Sequence, residues 1–256
     1  MVLGMGYATG AKKLFYDLTA GRDRRLAIRE LRRLERKLPS SRLRFAVPFV
    51  FRSRGHYKSI TPIQTPSEIE PLYLAVCDLK PRCVVEVGTA LGGTLYLWTQ
   101  AATEDATIVS IDLPAGLSGG GYLESRSALY KAFARPRQNL YLLRANSHDP
   151  QTLQQVRRIL GDHPVDLLFI DADHTYEGVK TDFILYGPLV QPGGLIAFHD
   201  IRPSPDPQIQ VERLWTQLRG RYDVKEFVYP DRWGRELGIG LLRVPAGGLD
   251  GSLPLE

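Results

Sequence analysis

The sequence predicts an α/β fold, a doubly wound parallel sheet with helices on both faces. Three observations predict it. Short apolar runs recur from Cys83 onward, helical stretches separate them, and small or polar residues cluster after each run. The first five are short apolar runs, which suits interior strands of a parallel sheet covered on both faces. The strand candidates are Cys83–Val87, Thr107–Ile111, Leu140–Arg144, Val165–Ile170, Leu195–Phe198, Val224–Tyr229 and Leu237–Leu242. Helical stretches lie between them at Gly93–Thr103, Ser125–Ala134, Gln151–Leu160, Gly178–Leu189 and Gln210–Gly220.

Composition sets the bounds. The chain has 256 residues, 43% hydrophobic and 24% charged, enough for one core with appendages. Its longest apolar stretch, Phe45–Phe51, is seven residues. A membrane-spanning helix needs roughly 20, so no transmembrane segment is expected. The first residues have no apolar signal-peptide core. Two cysteines, Cys77 and Cys83, make neither a disulfide framework nor a zinc site. These features point to a cytoplasmic protein. The net charge is +5, but Arg22–Lys37 carries eight basic residues against three acidic ones and so accounts for all of it. The rest of the chain is charge-balanced, which argues against a nucleic-acid partner.

Taken in order, residues 1–62 read as an N-terminal helical extension and substrate cover, 63–243 as the main domain, and 244–256 as a flexible tail. Ala27, Leu31, Leu34 and Leu38 fall at helical spacing, so the basic run is an amphipathic helix ended by Pro39 and Ser40. Its apolar stripe needs a surface: its own domain, a second subunit or a membrane. A homodimer or higher homo-oligomer contact, or lid support, is the first expectation, with an anionic membrane second. Phe45–Phe51 reads as packing for this helix. Thr65-Pro66-Ser67-Glu68 starts a helix running to about Leu79, with a Thr cap, Pro at the first position and Glu at the third.

In such a sheet, ligands bind beyond the carboxyl ends of the strands. After the first strand comes Glu86-Val87-Gly88-Thr89-Ala90-Leu91-Gly92-Gly93-Thr94, a glycine turn into a helix start. The second strand ends at Asp112, which can accept from two ribose hydroxyls or simply cap its loop. The third ends in Asn146-Ser147-His148-Asp149, suited to a purine rim and to starting the next helix. The fourth ends Asp171-Ala172-Asp173-His174 and the fifth His199-Asp200. Adjacent strand ends bring Asp171, Asp173, His174, His199 and Asp200 together. His148 stands at the same sheet edge, so three histidines converge beside carboxylates. That set suggests proton transfer, a metal, or both.

With these residues the chain resembles a class I S-adenosylmethionine-dependent methyltransferase, over roughly residues 63–243. VVEVGTALGGT resembles that family's cofactor loop and SIDLP its ribose-binding strand end. VDLLFIDADHTYEGV and LVQPGGLIAFHD resemble its fourth and fifth strands. The chain is similar to cation-dependent O-methyltransferases of catechol and caffeoyl-CoA type. It is also similar to bacterial relatives of the cephalosporin hydroxylase and macrolide-sugar O-methyltransferase group. The resemblance implies a Rossmann-like seven-stranded sheet, order 3-2-1-4-5-7-6. It implies that Glu86, Gly88 and Thr94 surround the methionine end of S-adenosylmethionine, with Thr89, Gly92 and Gly93 in the same loop. Asp112 would hold the ribose, Ser147 and His148 would edge the adenine, and Asp171 would border the cofactor.

The resemblance further implies a divalent cation (Mg, Mn, Fe or Zn) on Asp171, His199 and Asp200, with His174 where the catechol type has a catalytic lysine. Histidine at 199 replaces the usual carboxylate and suits manganese, iron or zinc better than magnesium. The implied reaction is methyl transfer to a hydroxyl of a small molecule (a sugar, polyketide or phenolic natural product). Asp171, His174 and His199 would carry it, and His174 or His199 would be the base. Two alternatives stand beside it: a non-haem-metal hydroxylase on the same fold, and a catalytically silent S-adenosylmethionine-binding protein. The D/N-P-P-Y signature of N6-adenine methyltransferases is absent. Acceptor recognition is expected from residues 41–62, the Gly119–Tyr122 loop as a lid or a plain connection, and the proline-rich Arg202–Gln208 loop.

Overall fold

All seven expected strands form, with some boundaries moved. The computed structural model describes residues 10–114, 121–230 and 233–249. Four helices precede the sheet: α1 (Gly10–Lys37), α2 (Ser41–Arg44), α3 (Val47–Val50) and α4 (Pro66–Leu79). Then follow β1 (Cys83–Val87), α5 (Gly93–Ala101), β2 (Thr107–Asp112), α6 (Ser127–Lys131), β3 (Asn139–Arg144) and α7 (Pro150–Leu160). The chain continues through β4 (Val165–Ile170), α8 (Tyr176–Tyr186), β5 (Val190–His199), α9 (Val211–Arg219), β6 (Asp223–Phe227) and β7 (Ile239–Arg243). Gly119 and Gly120 of the expected lid, and residues 250–256 of the tail, lie outside the described residues.

Two boundaries differ for physical reasons. The helix expected over 125–134 opens as a 3-10 turn at Glu124–Arg126 and is α-helical only to Lys131. Pro136 disfavours helical backbone in the residue before it. Strand β5 begins at Val190, five residues early, and pairs with Val165 before a register shift. Gly193 makes that irregularity possible, with φ at +81°.

The sheet has the order β3-β2-β1-β4-β5-β7-β6, as the resemblance implied. Strands β1 to β5 run parallel, and β7 is antiparallel to both β5 and β6. Side chains alternate faces along each strand. On β4, Leu167 and Phe169 enter one core while Leu168 and Ile170 enter the other. One face is covered by α7, α8 and α9, with Val156, Phe183, Leu214 and Trp215 buried there. The other is covered by α4, α5 and α6 together with the N-terminal segment.

The stripe of the basic helix belongs to that second core. Ala27 and Leu31 are wholly buried and Leu34 nearly so, in one cluster with Tyr73, Tyr96, Trp98 and Phe133. Of the three surfaces weighed for the stripe, its own domain covers it, so the stripe requires neither a second subunit nor a membrane. Val47 and Phe51 are also fully buried, as expected of packing. Among the described residues no helix is long and apolar enough to cross a membrane.

Candidate active site

Parallel β4 and β5 lie side by side and end at the same sheet edge. Asp171 follows β4, its N–H donating to Val87 O of β1 (2.8 Å). His199 ends β5, and Asp200 follows it with φ at +60°, a left-handed value that a short polar side chain such as Asp tolerates better than most. The loop before α8 returns His174 between them. His174 Nε2 stands 3.0 Å from Asp200 Oδ2 and 3.5 Å from Asp171 Oδ1. His199 Nδ1 stands 3.3 Å from Asp171 Oδ1 and 3.4 Å from Asp200 Oδ2. One donor atom from each of the four lies within 4.8 Å of the others.

Two expected members stay out of this cluster. Asp173 turns back to its own loop, where Oδ1 accepts from Thr175 N–H (2.9 Å) and Thr175 Oγ1 (2.8 Å). That is the local capping preferred by a short carboxylate ahead of a helix. His148 faces α8 instead, with Nε2 3.3 Å from the fully buried Asp182 Oδ1. The Asp182 carboxylate beside it raises the His148 pKa.

Electrostatics tie the four residues together. Burial alone would lower the His174 pKa, but hydrogen bonds to Asp171 and Asp200 and their charges raise it to about 10. Burial opposes the charge of His199 in the same way, and Asp200 and Asp171 overcome it. Burial would raise both carboxyls, yet the two imidazoliums hold them below the usual range. His199 Nε2 and Asp200 Oδ1 are buried without a hydrogen-bond partner. Such unmatched polar atoms are costly; the atoms facing the cluster, which a cation would meet, are His199 Nδ1 and Asp200 Oδ2. Two nitrogen and two oxygen donors fit manganese, iron or zinc.

Two further side chains reach this site that the sequence reading did not assign to it. Gln64 Nε2 donates to Asp171 Oδ2 (2.7 Å). Glu68 Oε1 stands 3.5 Å from His199 Nε2, both side chains being almost wholly buried. Glu68 also accepts from Thr65 N–H (2.6 Å) and Gly238 N–H (3.2 Å). The capping pattern fixed Glu68 at the start of α4. Nothing local reveals that this helix end abuts the end of β5.

The glycine loop sits beside the cluster. Gly88 has φ at +100°, and a Cβ there would overlap the Asp171 carbonyl. At Gly92 a Cβ would strike the Tyr130 ring, and at Gly93 the Ile60–Pro62 backbone. Both therefore serve packing as well as any ligand. Glu86 is fully buried, accepting from Thr94 Oγ1 (2.7 Å) and Ser110 Oγ (2.8 Å). Thr89 Oγ1 pairs with Ser110 Oγ. Asp112 clasps the loop: Oδ2 accepts from Thr89 N–H (3.0 Å) and Ala90 N–H (2.7 Å), and Oδ1 from Leu113 N–H (2.8 Å). A carboxylate oxygen has two lone pairs, so one on Oδ1 remains for a ribose hydroxyl. Ser147 is nearly buried and its carbonyl accepts from Tyr186 OH (2.7 Å). Arg126, unassigned from sequence, joins the extension to this loop by donating to Ser59 O (2.7 Å) and Leu91 O (3.0 Å).

Comparison with known proteins finds similarity to methyltransferases. A family model described as a methyltransferase domain matches residues 85–201. An uncharacterized protein of Acanthamoeba polyphaga mimivirus is 31% identical over 160 residues, 59% of this chain and 69% of that protein. An uncharacterized protein of Sinorhizobium fredii is 28% identical over 171 residues, covering 64% of this chain but only 18% of that protein. Among solved structures, the O-methyltransferase TomG of Streptomyces achromogenes, in complex with S-adenosylmethionine, superposes with TM-score 0.52 at 22% identity, over 68% of this chain and 78% of TomG. The O-methyltransferase of Bacillus cereus superposes with TM-score 0.51 at 20% identity, over 67% of this chain and 78% of that one. The structural likeness carries the fold, and the matched model carries the methyltransferase domain. Residues 85–201 form a methyltransferase domain, on the seven-stranded fold shared with S-adenosylmethionine-dependent methyltransferases.

Proposed function

We propose that this chain methylates a hydroxyl oxygen of a small molecule, such as a sugar, polyketide or phenol, with a divalent cation held by Asp171, His199 and Asp200. The observation that carries the reading is the placement of four convergent donors, within 4.8 Å of one another, against the glycine loop through the Gly88–Asp171 contact. S-adenosylmethionine supplies a methyl group already activated as a sulfonium. Gly88, Thr89 and the loop through Gly92, Gly93 and Thr94 would hold its methionine end, with Glu86 buttressing Thr94 and Asp171 at the border. Asp112 would offer its remaining lone pair to the ribose, and Ser147 and His148 would edge the adenine.

A cation bound among the carboxylates supplies charge that makes an acceptor hydroxyl more acidic. The protein's part is to align that oxygen and take its proton. His174 is the most exposed member of the cluster, with 34% of its side chain accessible, and so is the one open to an acceptor. Between Asp171 and Asp200 it holds a proton. With a cation held among the same carboxylates that proton would be displaced, and His174 would act as the base. His199, wholly enclosed, positions rather than exchanges protons.

The test is transfer of labelled methyl groups to a panel of hydroxyl compounds. Turnover is expected with manganese or zinc and not after chelation. Asp171→Ala should lower it about a thousandfold or more. Full activity in EDTA, with no metal by elemental analysis, would remove the cation. Tight S-adenosylhomocysteine binding with no turnover on any hydroxyl would remove O-methylation itself.

A further inference from the structure

The basic helix supplies part of a second feature, on the edge of the sheet away from the cluster. Ala102 and Thr103 lead into β2, and Ala134–Pro136 lead into β3, so these residues sit at the amino ends of parallel strands. The cluster at Asp171–Asp200 sits at the carboxyl ends. Two adjoining hollows open at the amino edge, of about 320 and 530 Å³. Arg32, Glu35 and Arg44 line both; Arg36 and Pro39 complete one, Ala134, Arg135 and Pro136 the other. Four guanidiniums therefore face one carboxylate, Glu35.

Helix ends explain why the arginines gather. The last carbonyls of a helix lack intrahelical partners. Arg44 Nε donates to Leu38 O just past the end of α1 (3.0 Å), Arg32 Nη2 to Ala132 O at the end of α6 (2.7 Å), and Arg135 Nη2 to Ala102 O at the end of α5. Arg44 also donates to Gln100 Oε1 (2.9 Å) and Arg32 to Glu35 Oε2 (2.6 Å). Each guanidinium has five N–H groups in a rigid fork, so these caps fix its plane and leave donors over. Arg135 Nε is buried with no partner, the kind of group that calls for an acceptor. Burial and the like charge of Arg44 lower the Arg135 pKa, while Glu104 opposes them.

We propose that these hollows bind a phosphoryl oxyanion, held by Arg44 and Arg135 with Arg32 and Arg36 at the rim. A phosphate accepts several charge-assisted hydrogen bonds at once, in the planar geometry that guanidinium forks provide. It also adds to the charge compensation that Glu35, Glu104 and the helix-end carbonyls provide. The source of the anion is a soluble phosphate compound or the headgroup of an acidic lipid, whose recognition chemistry is shared.

Calorimetry of the intact chain with inorganic pyrophosphate tests the site. One equivalent should bind. Arg44→Gln and Arg135→Gln should each weaken it at least about tenfold. Arg36→Gln, at an exposed rim position with the caps untouched, serves if those variants do not fold and should weaken it several-fold. S-adenosylhomocysteine should not displace the anion. No binding, equal binding in folded variants, or displacement by S-adenosylhomocysteine would overturn the proposal. Vesicles of phosphatidylcholine with and without phosphatidic acid identify the source. Flotation that needs phosphatidic acid and is lost in the same variants assigns a lipid headgroup, and pyrophosphate binding without flotation assigns a soluble phosphate.

Discussion

The two faces of the sheet are equally dry but are covered by chain from different distances. On one, α7, α8 and α9 fold back beside the strands they follow, burying Val156, Phe183, Leu214 and Trp215. On the other, α5 and α6 share the work with α1–α4, drawn from before the first strand. The first face is a local consequence of repeated strand–helix units. The second needs a segment whose destination no local pattern states, and from that segment come Gln64 and Glu68, the two unforeseen contacts to the cluster. A site at the strand ends thus takes its outer support from the face that was harder to read.

That comparison can be broken most forcefully by a matched pair of truncations. Leu31→Ala on one face and Leu214→Ala on the other both remove a wholly buried side chain, and each should cost about 2–5 kcal/mol in urea unfolding. A cost near zero at Leu31 would make the N-terminal segment an attachment rather than half of a core. Next comes Glu68→Gln, which should weaken zinc or manganese affinity about 10–100-fold, as outer partners of ligating histidines do. Competition with a chromophoric chelator measures it, and unchanged affinity would remove α4 from the site.

A smaller effect concerns Glu86, which points toward the α5 face. Burial pushes its pKa up to about 8 from an ordinary 4.5, against hydrogen bonds from Thr94 and Ser110. The folded state therefore keeps a proton that the unfolded chain gives up. Stability from this group is full below about pH 4.5 and is lost as pH rises through about 8. Glu86→Gln should remove that decline, a gain over wild type on the order of 1–3 kcal/mol at alkaline pH. Parallel pH profiles of wild type and variant would contradict it. Smallest is the exposed Arg42–Asp78 pair, at 3.2 Å. Asp78→Asn should change the unfolding free energy measured in urea by less than about 0.5 kcal/mol, since solvent screens such pairs.

Legibility followed sequence distance. The strand order brought Asp171, His174, His199 and Asp200 together because parallel neighbours end at one edge, and their ends were visible as apolar runs giving way to polar residues. Asp173 and His148 were misplaced for the opposite reason. Each has a nearer partner (the Thr175 N–H, and Asp182 one helix over) that residue type alone does not disclose. Asp112 shows the capping meaning, as a short carboxylate does, by accepting from Thr89, Ala90 and Leu113 N–H. The stripe Ala27–Leu31–Leu34 was readable as apolar, but what it packs on was not, because its partners Tyr73 and Phe133 lie far along the chain.

The contact between Gly88 and the Asp171 carbonyl has a thermodynamic consequence. It makes the proposed cofactor loop and the proposed cation ligands two sides of one wall, a single backbone thick. Occupants on either side of such a wall bind as neighbours, each changing the other's affinity by the same factor. Cation titrations with and without S-adenosylhomocysteine would then yield one coupling constant from either direction, and the order of addition in turnover would follow from its sign.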